Sequence, residues 1–387
     1  MFRYLSLTFK NTLRNRRRSV LTISSMALSL CLLGVLIAMY HALFLSEATP
    51  GQALRLITRH KVSLAQPIPV AYESKIREVP GVKEVSVWNW FGGTYKDNRD
   101  QRNFFARLAV EPKAFLAIRT ELEMPEEQKR AFVTERRACV ASRDVAEKLH
   151  WKLGDHIVLQ GDIYPVTLDL ILRGIFDDPD AHQSLFFNVD YLRDAIPPVR
   201  RNYISTVAIL ADSPEDVPRV AKAVDDTFAN ASPATKTESE QQFALSFLSL
   251  LGNIKLFLLS IAAAVTFTIL LVSGNTIAMS VRERIQEVGI LKTLGFTRGI
   301  ILGLIIGEAL LIALIGAILG LVLGEVVAAG VGIAGEVMVP QLHGLRVGFS
   351  GALLALGIAL ALGVASAFIP AWNASRTRIL DSLRYAG

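Results

Sequence analysis

The sequence predicts a membrane protein: four transmembrane α-helices plus a large exported α+β domain inserted between helices 1 and 2. Three observations predict it. Four long stretches are nearly free of fixed charge, one polar stretch of about 200 residues separates the first from the second, and basic residues gather on one side of the spans. Mean hydropathy is +0.39, with 51% hydrophobic and 20% charged residues. Over 387 residues that argues against a wholly soluble globular protein, and the composition excludes disorder, collagen or a disulfide scaffold.

Residues 1–18 form a cytoplasmic amphipathic basic segment. They carry Arg3, Lys10, Arg14, Arg16, Arg17 and Arg18 and no acid, with Phe2, Leu5, Phe9 and Leu13 on one helical side. Transmembrane helix 1 covers 19–45: no residue from Val20 to Leu45 carries a fixed charge, and at ~1.5 Å per residue the run exceeds a hydrocarbon core of roughly 30 Å. Arg16–Arg18 before it and Ser46-Glu47-Ala48 after it also suit a cleaved secretory signal. The apolar run is longer than the ~7–15 residues such signals use, which favours a retained helix. The exported domain occupies 46–245, and a stalk with transmembrane helix 2 occupies 246–279. A cytoplasmic loop follows at 280–299, helix 3 at 300–331, a short external loop at 332–348, helix 4 at 349–371 and a cytoplasmic tail at 372–387.

Charge orients these elements. The 1–18 segment, the 280–299 loop and the tail together hold thirteen bases and three acids, whereas the large domain has a slight acidic excess. The positive-inside rule then places both termini and the 280–299 loop in the cytoplasm and the large domain outside the inner (cell) membrane. The formal net charge of +6 is therefore a topology signal, and no nucleic-acid partner is implied. Cys31 lies in helix 1 and Cys139 in the exported domain, so two packed thiols are expected rather than a bridge or metal site.

In the exported domain, Val70–Val79 reads as a helix stopped by Pro80-Gly81, and Val82–Trp90 as an alternating strand. Ser142 suits the N-cap of a helix through Leu149; strands follow near Ile157–Leu159 and Val166–Phe176, then a strand at Tyr203–Leu210 and a helix at Pro214–Phe228. That order suggests an α+β domain built from two small sandwiched units. It has no H-E-x-x-H, G-x-S-x-G or C-x-x-C motif. Asp177-Asp178-Pro179-Asp180 with His182 reads as a solvated turn, and Trp88, Trp90 and Phe91 as core at strand spacing.

The membrane half is rich in small residues. Gly303 and Gly307, then Gly316, Gly320 and Gly324, recur every four positions in helix 3, and Ala359, Gly363 and Ala367 do so in helix 4, a spacing that permits close helix packing. Glu308 sits nine residues into helix 3, about 13 Å along the axis. An ionisable group there faces protein or water; a polar clamp to a neighbouring helix or a cytoplasmic arginine is favoured over proton coupling. In the 280–299 loop, Val281, Ile285 and Val288 share one helical face while Arg282, Glu283, Arg284 and Glu287 occupy others. Mixed charge on such a helix favours a protein partner over anionic lipid.

The run VRERIQEVGILKTLGFTRGIILGLIIGEALLIALIGAILGLVLG resembles the signature of MacB/LolC-LolE/FtsX-type (type VII) ABC transporter permeases. The ending FIPAWNASRTRILDSLRYAG is similar to that family's P-A-x-x-A-x-x-x-x-P-x-x-A-L-R, with Ile379 in place of the usual Pro and Ser382 in place of Ala. TLRNRRRSVLTISSMALSL resembles its basic start to helix 1, and ASRDVAEKLHWKLGDHIVLQGDIYPVTLDLILRGIFDD its MacB-type core domain.

The resemblance implies a permease subunit working as a dimer, with itself or a paralogue, on cytoplasmic ABC ATPases. The 280–299 segment would be the coupling helix, with Arg282, Glu283, Arg284, Glu287 and Lys292 contacting the ATPase. Nucleotide-driven closure would pass through helices 1 and 2 to the exported domain, a mechanism called mechanotransmission. Phe243, Phe247, Leu250, Leu251 and Ile254 suit a stalk at the start of helix 2. No Gly-Lys dipeptide, and hence no P-loop, occurs. ATP and Mg would therefore reside on a separate partner chain, with no catalytic residue, cofactor or metal on this one. The implied activity is export or extraction of an amphiphile or peptide, as in efflux or lipoprotein release, with a periplasmic adaptor as a further candidate partner. The alternatives are an FtsX-like regulator of a cell-wall hydrolase and a membrane-anchored binding or sensor protein.

Overall fold

A computed structural model describes residues 16–45, 48–97, 99–178, 183–249, 252–335, 342 and 344–377. The basic segment with Phe2, Leu5, Phe9 and Leu13, the Pro179–His182 part of the acidic turn, Leu250, Leu251, the side chain of Phe247, and the tail beyond 377 lie outside them. The chain divides into two compact units, 47–252 and a second made of 1–46 with 253–387.

The first helix, α1 (Arg16–Phe44), belongs to the membrane unit. The inserted unit is an α/β domain. Its strands are β1 (Arg55–His60), β2 (Ile68–Pro69), β3 (Val82–Trp90), β4 (Ala106–Val110), β5 (Ala138–Ser142), β6 (His156–Gln160), β7 (Thr167–Phe176), β8 (Ser184–Asn188), β9 (Tyr203–Ile204), β10 (Thr206–Ala211) and β11 (Thr235–Ser239). Its helices are α2 (Tyr72–Arg77), α3 (Pro112–Ile118), α4 (Glu126–Thr134), α5 (Arg143–Leu149), α6 (Val189–Ala195), α7 (Pro198–Arg201), α8 (Val217–Thr227) and α9 (Glu240–Ser249).

Among the described residues nine strands form one mixed sheet in the order β11-β1-β10-β3-β4-β8-β5-β7-β6 and β2 pairs with β9 apart from it, so the expected pair of small sandwiched units is corrected to one main sheet. Its two halves meet where Trp88–Trp90 of β3 pairs with Leu108–Val110 of β4. A core shared by both halves closes that seam. Ile57, Trp88 and Ala208 come from one half, Val140 and Phe186 from the other, and Phe115 and Phe132 of α3 and α4 cover them. Strand alternation sends neighbouring residues to opposite faces: Cys139 and Phe187 enter a second cluster with Trp151, while Leu56, Val207 and Ile209 enter a third beneath α2 and α8. Trp88 and Phe91 are buried as expected, whereas Trp90 is 39% exposed.

Burial pushes the Cys139 thiol well above its ordinary value. Since only the thiolate is reactive, Cys139 should remain unalkylated by iodoacetamide at pH 8 in the native protein and become labelled only in denaturant, as mass spectrometry of its peptide would show.

Among the described residues the membrane unit contains four helices long and apolar enough to cross a bilayer. Besides α1 they are α10 (Ile254–Glu283), α12 (Arg298–Gly335) and α13 (Gly348–Arg376), with the short α11 (Ile285–Thr293) between α10 and α12. The expected continuous stalk is interrupted: α9 ends at Ser249, Gly252 takes φ +101°, and the Asn253 side chain caps α10 by accepting from the Leu256 N–H. Phe243 of α9 packs instead on the shared core of the inserted domain.

Candidate functional site

The helix α11 follows a break in the chain at Arg284, whose φ of −109° and ψ of 15° end α10 and admit α11. Val288 and Gly289 are buried, which seats one face of α11 on the membrane unit. Two cations tie it down. Arg284 Nη1 donates to Glu308 Oε2 of α12 at 2.9 Å. Lys292 Nζ donates to the carbonyls of Ala374 and Thr377 at the C-terminal end of α13, where the helix leaves acceptors unsatisfied and carries negative partial charge. Burial, with Arg298 nearby, pushes the Lys292 ammonium below its ordinary value.

The five residues expected to meet an ATPase therefore separate. Arg282 and Glu283 are exposed, Glu287 is half-buried, and Arg284 and Lys292 are engaged within the chain. The open face of α11 contains Gln286 together with Ile290 and Leu294, which are 51% and 69% exposed. Sequence periodicity passed over these two apolar residues because they sit away from the Val281–Ile285–Val288 face. Gln286 and Ile290 lie four positions apart and so share one side of α11, with Leu294 at its C-cap and Glu283 before the break at Arg284.

Glycines set the spacing of α12 against its neighbours. A Cβ on Gly316 would lie 2.9 Å from Met26 Cβ of α1, on Gly320 2.7 Å from the Ala27 carbonyl, and on Gly324 3.4 Å from the Cys31 carbonyl. Gly363 of α13 approaches Ala309 and Ala313 of α12 in the same way. Gly303 and Gly307 are half-buried. Glu325, which the sequence did not single out, accepts from the Val347 N–H at 3.0 Å and so caps the start of α13.

In the inserted domain the acidic turn is corrected too. Asp178 is buried, not solvated, and accepts from Arg119 Nη1 at 2.9 Å; Asp177 pairs with Arg143 at the surface. Arg119 also bonds Glu240 at the start of α9, and Arg55 at the start of β1 bonds both Glu240 and Glu121. Among the described residues no group of three or more His, Cys, Asp or Glu side chains could hold a metal ion.

Two family models account for most of the chain. Residues 19–227 match the MacB-like periplasmic core domain, and residues 256–379 match the FtsX-like permease C-terminal domain. The chain belongs to the MacB/FtsX-type ABC transporter permeases. An uncharacterised ABC transporter permease of Methanocaldococcus jannaschii is 24% identical over 305 residues, spanning 75% of each chain. Among solved structures, the extracellular domain of the noncanonic ABC-type transporter YknZ from Gram-positive bacteria aligns with 48% of this permease and 99% of its own chain, at 14% identity and a TM-score of 0.36. The periplasmic region of MacB from Actinobacillus actinomycetemcomitans aligns with 50% of the permease and 92% of its own chain, at 7% identity and a TM-score of 0.37. The first family model thus covers α1 from Ser19 and the inserted domain through α8, and the second covers α10 from Leu256 through α13.

Proposed function

We propose that this permease couples ATP hydrolysis on a separate cytoplasmic ATPase to movement of its inserted domain, and so exports or extracts an amphiphile or peptide. The observation that carries the reading is α11: a short helix pinned at one end to α12 by Arg284–Glu308 and at the other to α13 by Lys292, with an open face. A push on that face passes to two spans at once, because α11 is tied to both α12 and α13. The basic excess of the 280–299 loop supports a cytoplasmic position for α11 in the inner membrane, and hence an external position for the inserted domain. ABC ATPases close as pairs, so two permease subunits, identical or paralogous, complete the assembly, and identical ones are the simpler arrangement. ATP and Mg belong to the partner, and this chain performs no chemistry of its own. An adaptor protein or a lipoprotein-sorting chaperone would select the substrate on the far side.

Co-purification with the partner ATPase tests this. Glu283→Arg combined with Leu294→Asp, both on exposed positions, should abolish ATPase capture and stimulation while leaving the permease folded. Arg284→Gln should retain capture but uncouple it, lowering substrate release per ATP. Unchanged capture by the Glu283→Arg/Leu294→Asp protein would refute the docking assignment.

A further inference from the structure

A crevice of about 80 Å³ opens among α1, α10, α12 and α13. Arg284, Glu287 and Glu308 line it at the α11 end, Ser273 and Ser366 line it further in, and Met26 contributes an apolar wall. Ser273 is 3% exposed, and its Oγ has no hydrogen-bond partner among the described residues. Its neighbours on the same helix behave differently: Thr266, Thr268 and Thr276 each donate to the carbonyl four residues earlier. That local bond is the usual resting place of a hydroxyl in an apolar helix. Ser273 forgoes it and lines the crevice instead.

A buried hydroxyl is rarely left unpaired, and the crevice meets the conditions for the simplest partner. A water needs roughly 10–15 Å³ of such space and two to four polar neighbours. Here Ser273 Oγ can donate or accept, Thr276 and Ser366 Oγ have spare lone pairs after donating to carbonyls, and the Glu308 carboxylate lies in the same wall. Ser273 is ten residues from the end of α10 at Glu283, about 15 Å along the axis, or half of a hydrocarbon core of roughly 30 Å.

We propose that this crevice is a water-filled half-channel running from the α11 end of the membrane unit to Ser273, and that its water hydrates the Arg284–Glu308 pair. A pair sealed in hydrocarbon would resist separation, because each charge would be stranded without solvent. A hydrated pair opens and recloses at low cost, as exposed pairs do. The half-channel is thus what makes the α11–α12 tie a releasable one. Which membrane face it opens to rests on the orientation proposed above.

The test uses the full-length permease in sealed vesicles of both orientations and a membrane-impermeant, charged methanethiosulfonate reagent, with labelling assigned to peptides by mass spectrometry. Ser273→Cys should react at least about tenfold faster than Val272→Cys on the outer side of the same helix, since a thiolate forms beside water and not in hydrocarbon. Met26 of the unaltered chain supplies a second measurement. It is 3% exposed yet lines the crevice, so radiolytic hydroxyl-radical labelling should oxidise it readily if water stands against it. Labelling of the Ser273→Cys protein at that position from the face that carries α11 supports the half-channel. Labelling only from the opposite face also supports a half-channel and refutes the proposed orientation. No labelling from either face, together with an unoxidised Met26, would overturn the inference.

Discussion

Replacing Arg119 with methionine should destabilise the inserted domain by about 3–5 kcal/mol. Its guanidinium is almost fully buried, donates to Asp178 and to Glu240, and lies 5.6 Å from the centre of the Trp88 ring. Methionine keeps the aliphatic stem and withdraws the cation on which two carboxylates converge. In a low-dielectric interior such carboxylates lose far more than an exposed pair would. Denaturant titration of the full-length permease, followed by tryptophan fluorescence, measures the loss. Adding Asp178→Asn to Arg119→Met should recover part of it, because Glu240 keeps Arg55 whereas Asp178 loses the Arg119 guanidinium, and the second change removes that charge. A double variant as unstable as the single one would show that packing against Trp88, not charge, is what Arg119 supplies.

Gly320→Ala should disrupt the membrane unit more than a methyl added at Gly316, Gly324 or Gly330 of α12. The added carbon would meet the Ala27 carbonyl at 2.7 Å, Leu30 Cβ at 2.9 Å and the Cys31 amide nitrogen at 3.1 Å. Two of these atoms are backbone and cannot rotate away, so α1 itself must move off α12. Overpacking of this kind costs about 1–3 kcal/mol, and in a bilayer there is no hydrophobic drive between helices to offset it. Gly330→Ala is the matched control: nothing lies within 4 Å of its added carbon, and alanine gains up to about 1 kcal/mol of helix propensity. Thermal unfolding in detergent should separate the two variants clearly. Equal midpoints would mean that α1 and α12 do not meet at Gly320 in the assembled protein.

How far the sequence carried these conclusions depends on the range of the interactions. The four spans were legible because uncharged length alone specifies them, and Val82–Trp90 was legible because alternation marks a strand locally. Tyr203–Leu210 reads as one strand in the sequence and is two in the structure. Between them the Ser205 N–H donates to Asn89 and the Ser205 hydroxyl accepts from Trp90, bonds across more than 110 positions that no local pattern reveals. Asp178 was misplaced for the same reason, since its arginine stands 59 positions away. In α11 the amphipathic pattern points to the helix, and the depth of Glu308 points to a clamp on a cytoplasmic arginine, which Arg284 supplies; that Lys292 turns to the end of α13 only the fold shows.

The pairing of β1 with β11 has a consequence for the lineage of such proteins. Leu56 stands opposite Ser239, so the first and last strands of the inserted domain are neighbours in one sheet. A segment whose ends leave side by side can be set into a host with little loop-closure entropy and no need to rethread the host's own chain. The inserted domain is therefore built as an exchangeable cassette. Grafting a different domain between the same two junctions should therefore leave the four helices folded as they are.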